Sequence, residues 1–167
     1  MNIKLNNRYI NELLEYEKVQ NGLYIVATPI GNLGDITLRS LKILSCVDLI
    51  LCEDTRISKK LTNKYGIKTQ LKPFHKFNSK NSIPLIIKKL QAGSSIAIIS
   101  DAGTPIISDP GSDLIKICDE NKINVFSLPG PSATISSYVL SSFAQKSFMF
   151  RSFFPRHKKE ALKELDL

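Results

Sequence analysis

Between Ile57 and Ser100 the chain has no aspartate and no glutamate, although it carries fifteen acidic residues in all. The same stretch holds nine lysines, a local formal charge of +9. The other fourteen basic residues face all fifteen acids, so this one segment accounts for the whole-chain net charge of +8. Such one-sidedness suits a phosphate-rich partner; a solvated lysine-rich surface is the competing explanation. Cysteine is scarce: Cys46, Cys52 and Cys118 are an odd number with no C-x-x-C pair. That argues against a disulfide framework and predicts buried small hydrophobes in a reducing compartment. Histidine is scarcer still, and His75 and His157 lie far apart with no thiol pair between them, so no metal site is expected. No apolar run reaches membrane-spanning length, and the opening M-N-I-K-L-N-N-R-Y-I lacks the apolar core of a signal peptide. A cytoplasmic protein with no membrane partner is the expectation. No G-x-G-x-x-G follows the first apolar run, which weakens a dinucleotide-binding reading.

What the chain does contain is a repeated unit. With 167 residues and 43% apolar content it can build one domain with an ordinary core. Short apolar runs at Leu23–Thr28, Val47–Cys52, Thr69–Phe74, Ile96–Ile99 and Ile123–Leu128 read as strands. Helical spacing predicts helices after Asp35 or Thr37, over Ile57–Tyr65 with Gly66 as its stop, over Ser82–Gln91 with Pro84 in its first turn, and over Ser112–Asn121. A small-residue helix follows Ala133 and ends near Ser142, and Asn7–Val19 reads either as a short amphipathic helix or as a loose tail. Strand, turn and helix alternate five times. The fold class predicted is therefore α/β, a five-stranded, mainly parallel sheet flanked by helices. Residues 1–22 read as an N-terminal extension and 23–146 as the α/β domain. Residues 147–167 read as a linker and the truncated start of a second domain, and the aromatic run at 148–154 reads as an exposed strand.

The unusual residues fall at strand ends. P-I-G-N follows the first strand, E-D-T-R the second, S-D-A-G-T-P the fourth and P-G-P-S-A the fifth. In a parallel sheet those ends share one edge, where ligands bind in open α/β folds. Four polar, glycine- and proline-rich loops on one rim predict a site.

These loops, in this order, resemble the tetrapyrrole methylase superfamily. Within it they are similar to the ribosomal RNA small subunit methyltransferase I family. The resemblance is carried by L-Y-I-V-A-T-P-I-G-N-L-G-D-I-T-L-R at 23–39, I-L-C-E-D-T-R at 50–56, S-D-A-G-T-P-I-I-S-D-P-G at 100–111, L-P-G-P-S-A at 128–133 and F-F-P-R at 153–156. It implies S-adenosylmethionine as cofactor and 2′-O-methylation of a cytidine ribose in the decoding region of 16S rRNA, on the small ribosomal subunit. It further implies cofactor contacts at Pro29, Asp101, Gly103, Thr104, Ser132 and Ala133. The family has a second α/β domain beyond F-F-P-R. It also carries a stretch like Y-H-E-H-N-E near residue 74, where this chain keeps His75 and Asn78 but has Lys76 and Ser79 at two acidic positions.

Methyl transfer to a ribose hydroxyl calls for an in-line nucleophile and a base that removes its proton. Glu53, Asp54 and Asp101 are the candidate bases, with Arg56 steadying a carboxylate or a phosphate; helix capping is the plainer role for the first two. Lys59, Lys60, Lys64 and Lys76 are the candidate RNA contacts, joined by Lys68, Lys72 and Lys80, with Tyr65, Phe74 and Phe77 available to stack on bases. A second class of reading stands beside the enzyme: an RNA- or partner-binding module without cofactor competence, or one half of a split enzyme. The aromatic run at 148–154 predicts a homodimer or a separate chain carrying the C-terminal domain as partner.

Overall fold

A computed structural model describes residues 19–75, 78–107, 111–143 and 147–165; the Asn7–Val19 stretch, Lys76 and Phe77 lie outside the described residues or at their edge. Among the described residues there are five strands, β1 (Gly22–Val26), β2 (Leu49–Cys52), β3 (Leu71–Pro73), β4 (Ser95–Ile99) and β5 (Val125–Leu128). The helices are α1 (Leu38–Cys46), α2 (Thr55–Tyr65), α3 (Ser79–Gln91), α4 (Ser112–Glu120), α5 (Ala133–Leu140) and α6 (Lys158–Leu165). All five strands join one sheet in the order β3-β2-β4-β1-β5, and every pairing is parallel.

Strand periodicity of two sorts the core into two layers. Leu23 and Ile25 of β1, Leu49 and Leu51 of β2, and Ile96 and Ile98 of β4 face one way. They pack with Ile83, Ile86, Ile87 and Leu90 of α3 and Leu114 and Cys118 of α4. The alternate residues Tyr24, Val26, Ile50, Cys52, Ala97 and Ile99 face the other way, toward Ile43 and Leu44 of α1 and Leu61 of α2. β4 and β1 are buried along their whole length because helices cover both faces.

The helix ends follow local chemistry. The Thr37 hydroxyl accepts from Ser40 N and caps α1, so Thr37 is the cap and Asp35 belongs to a short 3-10 turn before it. Gly66 closes α2 in the left-handed conformation, φ 66°. α3 begins three residues earlier than the periodicity predicts, because Asn78 forms the turn that starts it. Asn78 Oδ1 accepts from His75 N at 2.8 Å and its Nδ2 donates to Pro73 O at 3.0 Å. Pro84 therefore sits inside the helix rather than in its first turn.

Two expectations are corrected. Cys46 is exposed, while Cys52 and Cys118 are buried; Cys46 is the last residue of α1, past the turn that Ile43 and Leu44 bury. The run at 148–154 forms no strand, since among the described residues no neighbouring strand supplies a ladder for its backbone groups. Its side chains are nonetheless exposed, Phe153 at 82% and Met149 at 76%.

The chain divides into two units, Met1–Ser132 and Ala133–Leu167. The sheet with α1 to α4 makes up the first. In the second, Tyr138 packs on Phe148 with ring centroids 4.7 Å apart, and the Arg151 guanidinium pairs with the Glu164 carboxylate of α6.

Candidate active site

The order β3-β2-β4-β1-β5 creates a switch point. From β1 the chain moves toward β2 on one side, and from β4 it moves to β5 on the other, so the loops after these two neighbours diverge. Open α/β sheets bind ligands at that point, past the carboxyl ends of the strands.

Here the two loops are joined. Thr28 N donates to Gly103 O at 2.8 Å and Gly103 N donates to Thr28 O at 3.0 Å, a small antiparallel bridge on the rim of a parallel sheet. The Thr28 hydroxyl, 3% exposed, donates to Ser100 O at 2.9 Å. The Ser100 hydroxyl in turn donates to Gly103 O at 3.1 Å and Ala102 O at 3.2 Å. Gly103 has φ 78°, a conformation that L side chains resist, so the turn needs glycine there. The β2 loop joins through Asp54 N, which donates to Asp101 Oδ1 at 3.2 Å. The β5 loop joins by close approach: a Cβ at Gly130 would stand 2.8 Å from Ala27 Cβ. Phe74 N donates to Cys52 O at 2.8 Å and fastens the end of β3 alongside. The loops after β1, β2, β4 and β5 thus meet on one rim.

Pro29 and Gly103 are buried at the centre of this rim, and Asp101 and Thr104 are half-buried beside them. Ser132, half-buried, is the last residue of the first unit; Ala133 opens α5 in the second. Glu53 is half-buried at the end of β2.

Asp54 does something specific. It is the N-cap of α2 and accepts from Arg56 N at 2.8 Å. Arg56 closes back on the same carboxylate, with Nη2 to Oδ2 at 2.6 Å and Nε to Oδ1 at 3.1 Å. The Arg56 side chain, followed by its amide, holds the Asp54 carboxyl down at about 2, and the aspartate raises the guanidinium in return. A carboxylate this acidic is a weak proton acceptor near neutral pH.

Cys52 lies directly below, fully buried at the end of β2. Burial pushes its thiol pKa up, the nearby Ser58 hydroxyl lowers it, and the Asp101 and Asp54 charges raise it further. The thiol therefore stays protonated under the rim.

Of the candidate RNA contacts, Lys59, Lys60 and Lys64 lie on α2, Lys68 follows it, Lys72 is in β3 and Lys80 is in α3, while Lys76 is outside the described residues. Arg56, Lys59, Lys60 and Lys64 have the i, i+3, i+4, i+8 spacing of one helical stripe, opposite the buried Ser58, Leu61 and Thr62. All four are exposed. Two stacking candidates are used elsewhere: Phe74 is 2% exposed in the core, and the Tyr65 hydroxyl donates to Leu33 O at 2.7 Å while its ring lies under Lys64 Nζ. Sequence reasoning missed the Thr28 and Ser100 hydroxyls. Their signal was a pair of hydroxyl residues closing two apolar strands.

Residues 22–165 match the family described as Tetrapyrrole (Corrin/Porphyrin) Methylases. Among curated proteins, one from Thermotoga maritima named ribosomal RNA small subunit methyltransferase I is 52% identical over 136 residues, covering 81% of this chain and 61% of the relative. Proteins of the same name from Mesorhizobium japonicum and Escherichia coli O157:H7 are each 43% identical, covering 89% and 88% of this chain and 50% and 52% of theirs. The chain thus spans about half the length of these relatives. A solved uroporphyrin-III-C-methyltransferase from Thermus thermophilus shares the fold, with TM-score 0.56 and 18% identity over 72% of this chain and 51% of that one. Among the described residues no helix is long and apolar enough to cross a membrane. By its sequence match and by a sheet whose loops meet at the switch point, the chain belongs to the tetrapyrrole methylase family, and within it is similar to proteins named ribosomal RNA small subunit methyltransferase I.

Proposed function

We propose that the protein takes part in S-adenosylmethionine-dependent 2′-O-methylation of a cytidine ribose in the decoding region of 16S rRNA, in the cytoplasm, and that its rim forms the donor side of the site. The observation that carries this reading is the hydrogen-bonded meeting of the Thr28–Pro29 and Asp101–Thr104 segments at the switch point. The residues fit the cofactor. Gly103 and Gly130 keep the rim low where a Cβ would be strained or would collide with Ala27. Asp101 has spent one acceptor position on Asp54 N, and a carboxylate offers about four, enough to take an amine or hydroxyl as well. Bound there, S-adenosylmethionine supplies an electrophilic methyl group on a sulfonium.

The chain's own groups then divide the remaining work. Pro29, Asp101, Gly103, Thr104 and Ser132 hold the donor. Glu53, half-buried at the end of β2, accepts the proton of the ribose hydroxyl. Asp54 is too acidic for that task and serves as the helix cap that anchors Arg56. Arg56 begins the cationic stripe, and Lys59, Lys60 and Lys64 extend it along α2 for roughly 12 Å at 1.5 Å per residue. RNA phosphates on that stripe would lead the nucleotide to the rim, since phosphate contacts supply register and most of the affinity.

The test is calorimetry of the chain with S-adenosylmethionine, paired with transfer of labelled methyl to small ribosomal subunits. Binding that Asp101→Ala abolishes, with transfer that Glu53→Gln abolishes while binding persists, supports the reading. Absence of cofactor binding with RNA binding retained replaces it with a binding module.

A further inference from the structure

The loop leaving β4 contains a backbone outlier. Ile106 has φ 77°, a conformation that a β-branched residue keeps only where its surroundings over-determine it. Its side chain is half-buried and packs on the layer formed by β1, β4, α3 and α4. Facing it is Gly111, whose backbone, at φ 136°, also needs glycine. A Cβ on Gly111 would lie 2.9 Å from Ile106 Cγ1 and 3.2 Å from Ile98 Cδ1. The missing side chain of Gly111 therefore leaves a slot above Ile98, and Ile106 fills it. Three residues upstream, Gly103 is fixed to Thr28 by two backbone hydrogen bonds. The segment 103–106 is thus pinned at both ends, by a bridge at Gly103 and by a seated side chain at Ile106, with Thr104 and Pro105 between.

We propose that Ile106 is a positioning residue: seated in the Gly111 slot, it holds the Gly103–Pro105 segment in the shape that forms the donor wall of the site. It touches neither donor nor acceptor and acts through the loop. The inference rests on the reading of that loop as cofactor wall. The arrangement explains why an isoleucine tolerates a left-handed backbone here. Moving it to relaxed geometry would withdraw its side chain from the core.

Two measurements test it on the chain as it stands. Amide hydrogen exchange at Gly103 and Thr28 reports whether the segment is held, and calorimetry with S-adenosylmethionine reports whether that hold matters to the ligand. Ile106→Gly relaxes the backbone and removes the anchor. It is expected to speed exchange at both amides about tenfold or more under native conditions, and to weaken S-adenosylmethionine binding by a comparable factor. Ile106→Val keeps most of the anchor and should stay near wild type. Gly111→Ala pushes Ile106 out of the slot from the other side and should reproduce the Ile106→Gly signature, which covers the case in which one variant fails to fold. Ile83→Val, in the same core layer but on α3, should lower global stability without changing exchange at Gly103. Unchanged exchange in Ile106→Gly and Gly111→Ala overturns the proposal, as does faster exchange with unaltered affinity. If the wild-type chain binds no S-adenosylmethionine, the cofactor reading falls, and the exchange data alone decide whether Ile106 holds the loop.

Discussion

Replacing Thr28 by valine tests the rim at its centre. The two side chains have nearly the same shape, so the change exchanges a hydroxyl for a methyl with little loss of packing. What it removes is the 2.9 Å hydrogen bond to Ser100 O, between groups 3% and 4% exposed, and a longer one of 3.4 Å to Gly103 O. The two losses are unequal. Gly103 O keeps Thr28 N at 2.8 Å and the Ser100 hydroxyl at 3.1 Å. Ser100 O loses the donor that the buried Thr28 hydroxyl brought to it. An acceptor stripped of its partner in the interior costs about 1–3 kcal/mol, and the middle of that range predicts a loss near 2 kcal/mol. For a domain of this size each kcal/mol moves Tm by about 2–4 °C, so a fall of about 4–8 °C is expected. Urea unfolding should show a lower midpoint at constant m. Ser100→Ala removes two weaker bonds to neighbouring carbonyls and should cost about 1 kcal/mol. Because each hydroxyl backs up the other at Gly103 O, the double variant should cost more than the sum. A Thr28→Val protein as stable as wild type would refute the argument: the hydroxyl would then not be offsetting the cost of burying Ser100 O.

Other consequences follow from the same geometry. The Asp54 carboxyl should titrate near 2 by carbon-detected NMR, and Arg56→Ala should raise that midpoint only part of the way, because the amide of residue 56 still donates to it. Its folded value lies below its unfolded one. The stability it contributes is therefore fully present above about pH 4 and lost as the pH falls through about 2. A thiol-reactive chromophore at neutral pH should modify Cys46 rapidly and the other two slowly, since burial raises Cys52 and carries Cys118 to about 11; three equal rates would contradict the buried placement. Alanine at Lys59, Lys60 and Lys64 together should leave S-adenosylmethionine binding alone and lower the salt dependence of binding to a decoding-region RNA fragment. The drop expected in the log–log slope is about 0.7–0.9 for each phosphate no longer neutralised.

The sheet was readable in advance because β4 and β1 are covered on both faces. Full burial leaves near-continuous apolar runs such as Ile96–Ile99, bounded by polar residues, and few other structures produce that pattern. The edges were harder. β3 is three residues long and half-exposed, and β5 is mostly exposed, so neither is marked by strong hydrophobicity; both proved shorter than their apolar runs. Strand order also escaped the sequence, since β4 enters between β2 and β1 through pairings of long sequence separation. The start of α3 was misplaced for a local reason. Pro84 suggests a first turn, but Asn78 supplies two side-chain bonds that fix the chain earlier, and the helix takes the proline into its body. At 148–154 aromatic content suggests a strand, but a strand also requires a neighbour.

The rim's location follows from parallel topology, because every strand end must fall on the same edge. Its internal wiring does not. That Asp54 pairs with Arg56 depends on the turn between residues two apart, and it separates two carboxylates that look alike in the run E-D-T-R. Asp54 becomes a cap held at about 2, which makes Glu53 the stronger base candidate. Likewise Thr28 and Ser100 look like ordinary strand-end hydroxyls, yet they are 72 residues apart and hydrogen-bonded. Position in the chain announces a site; only the fold decides which of its polar residues brace the loops and which meet a substrate. On this rim Thr28, Ser100 and Asp54 brace the loops. The division can be checked directly: substitutions at these three should act on stability and donor affinity together, whereas Glu53→Gln should act on methyl transfer with donor affinity unchanged.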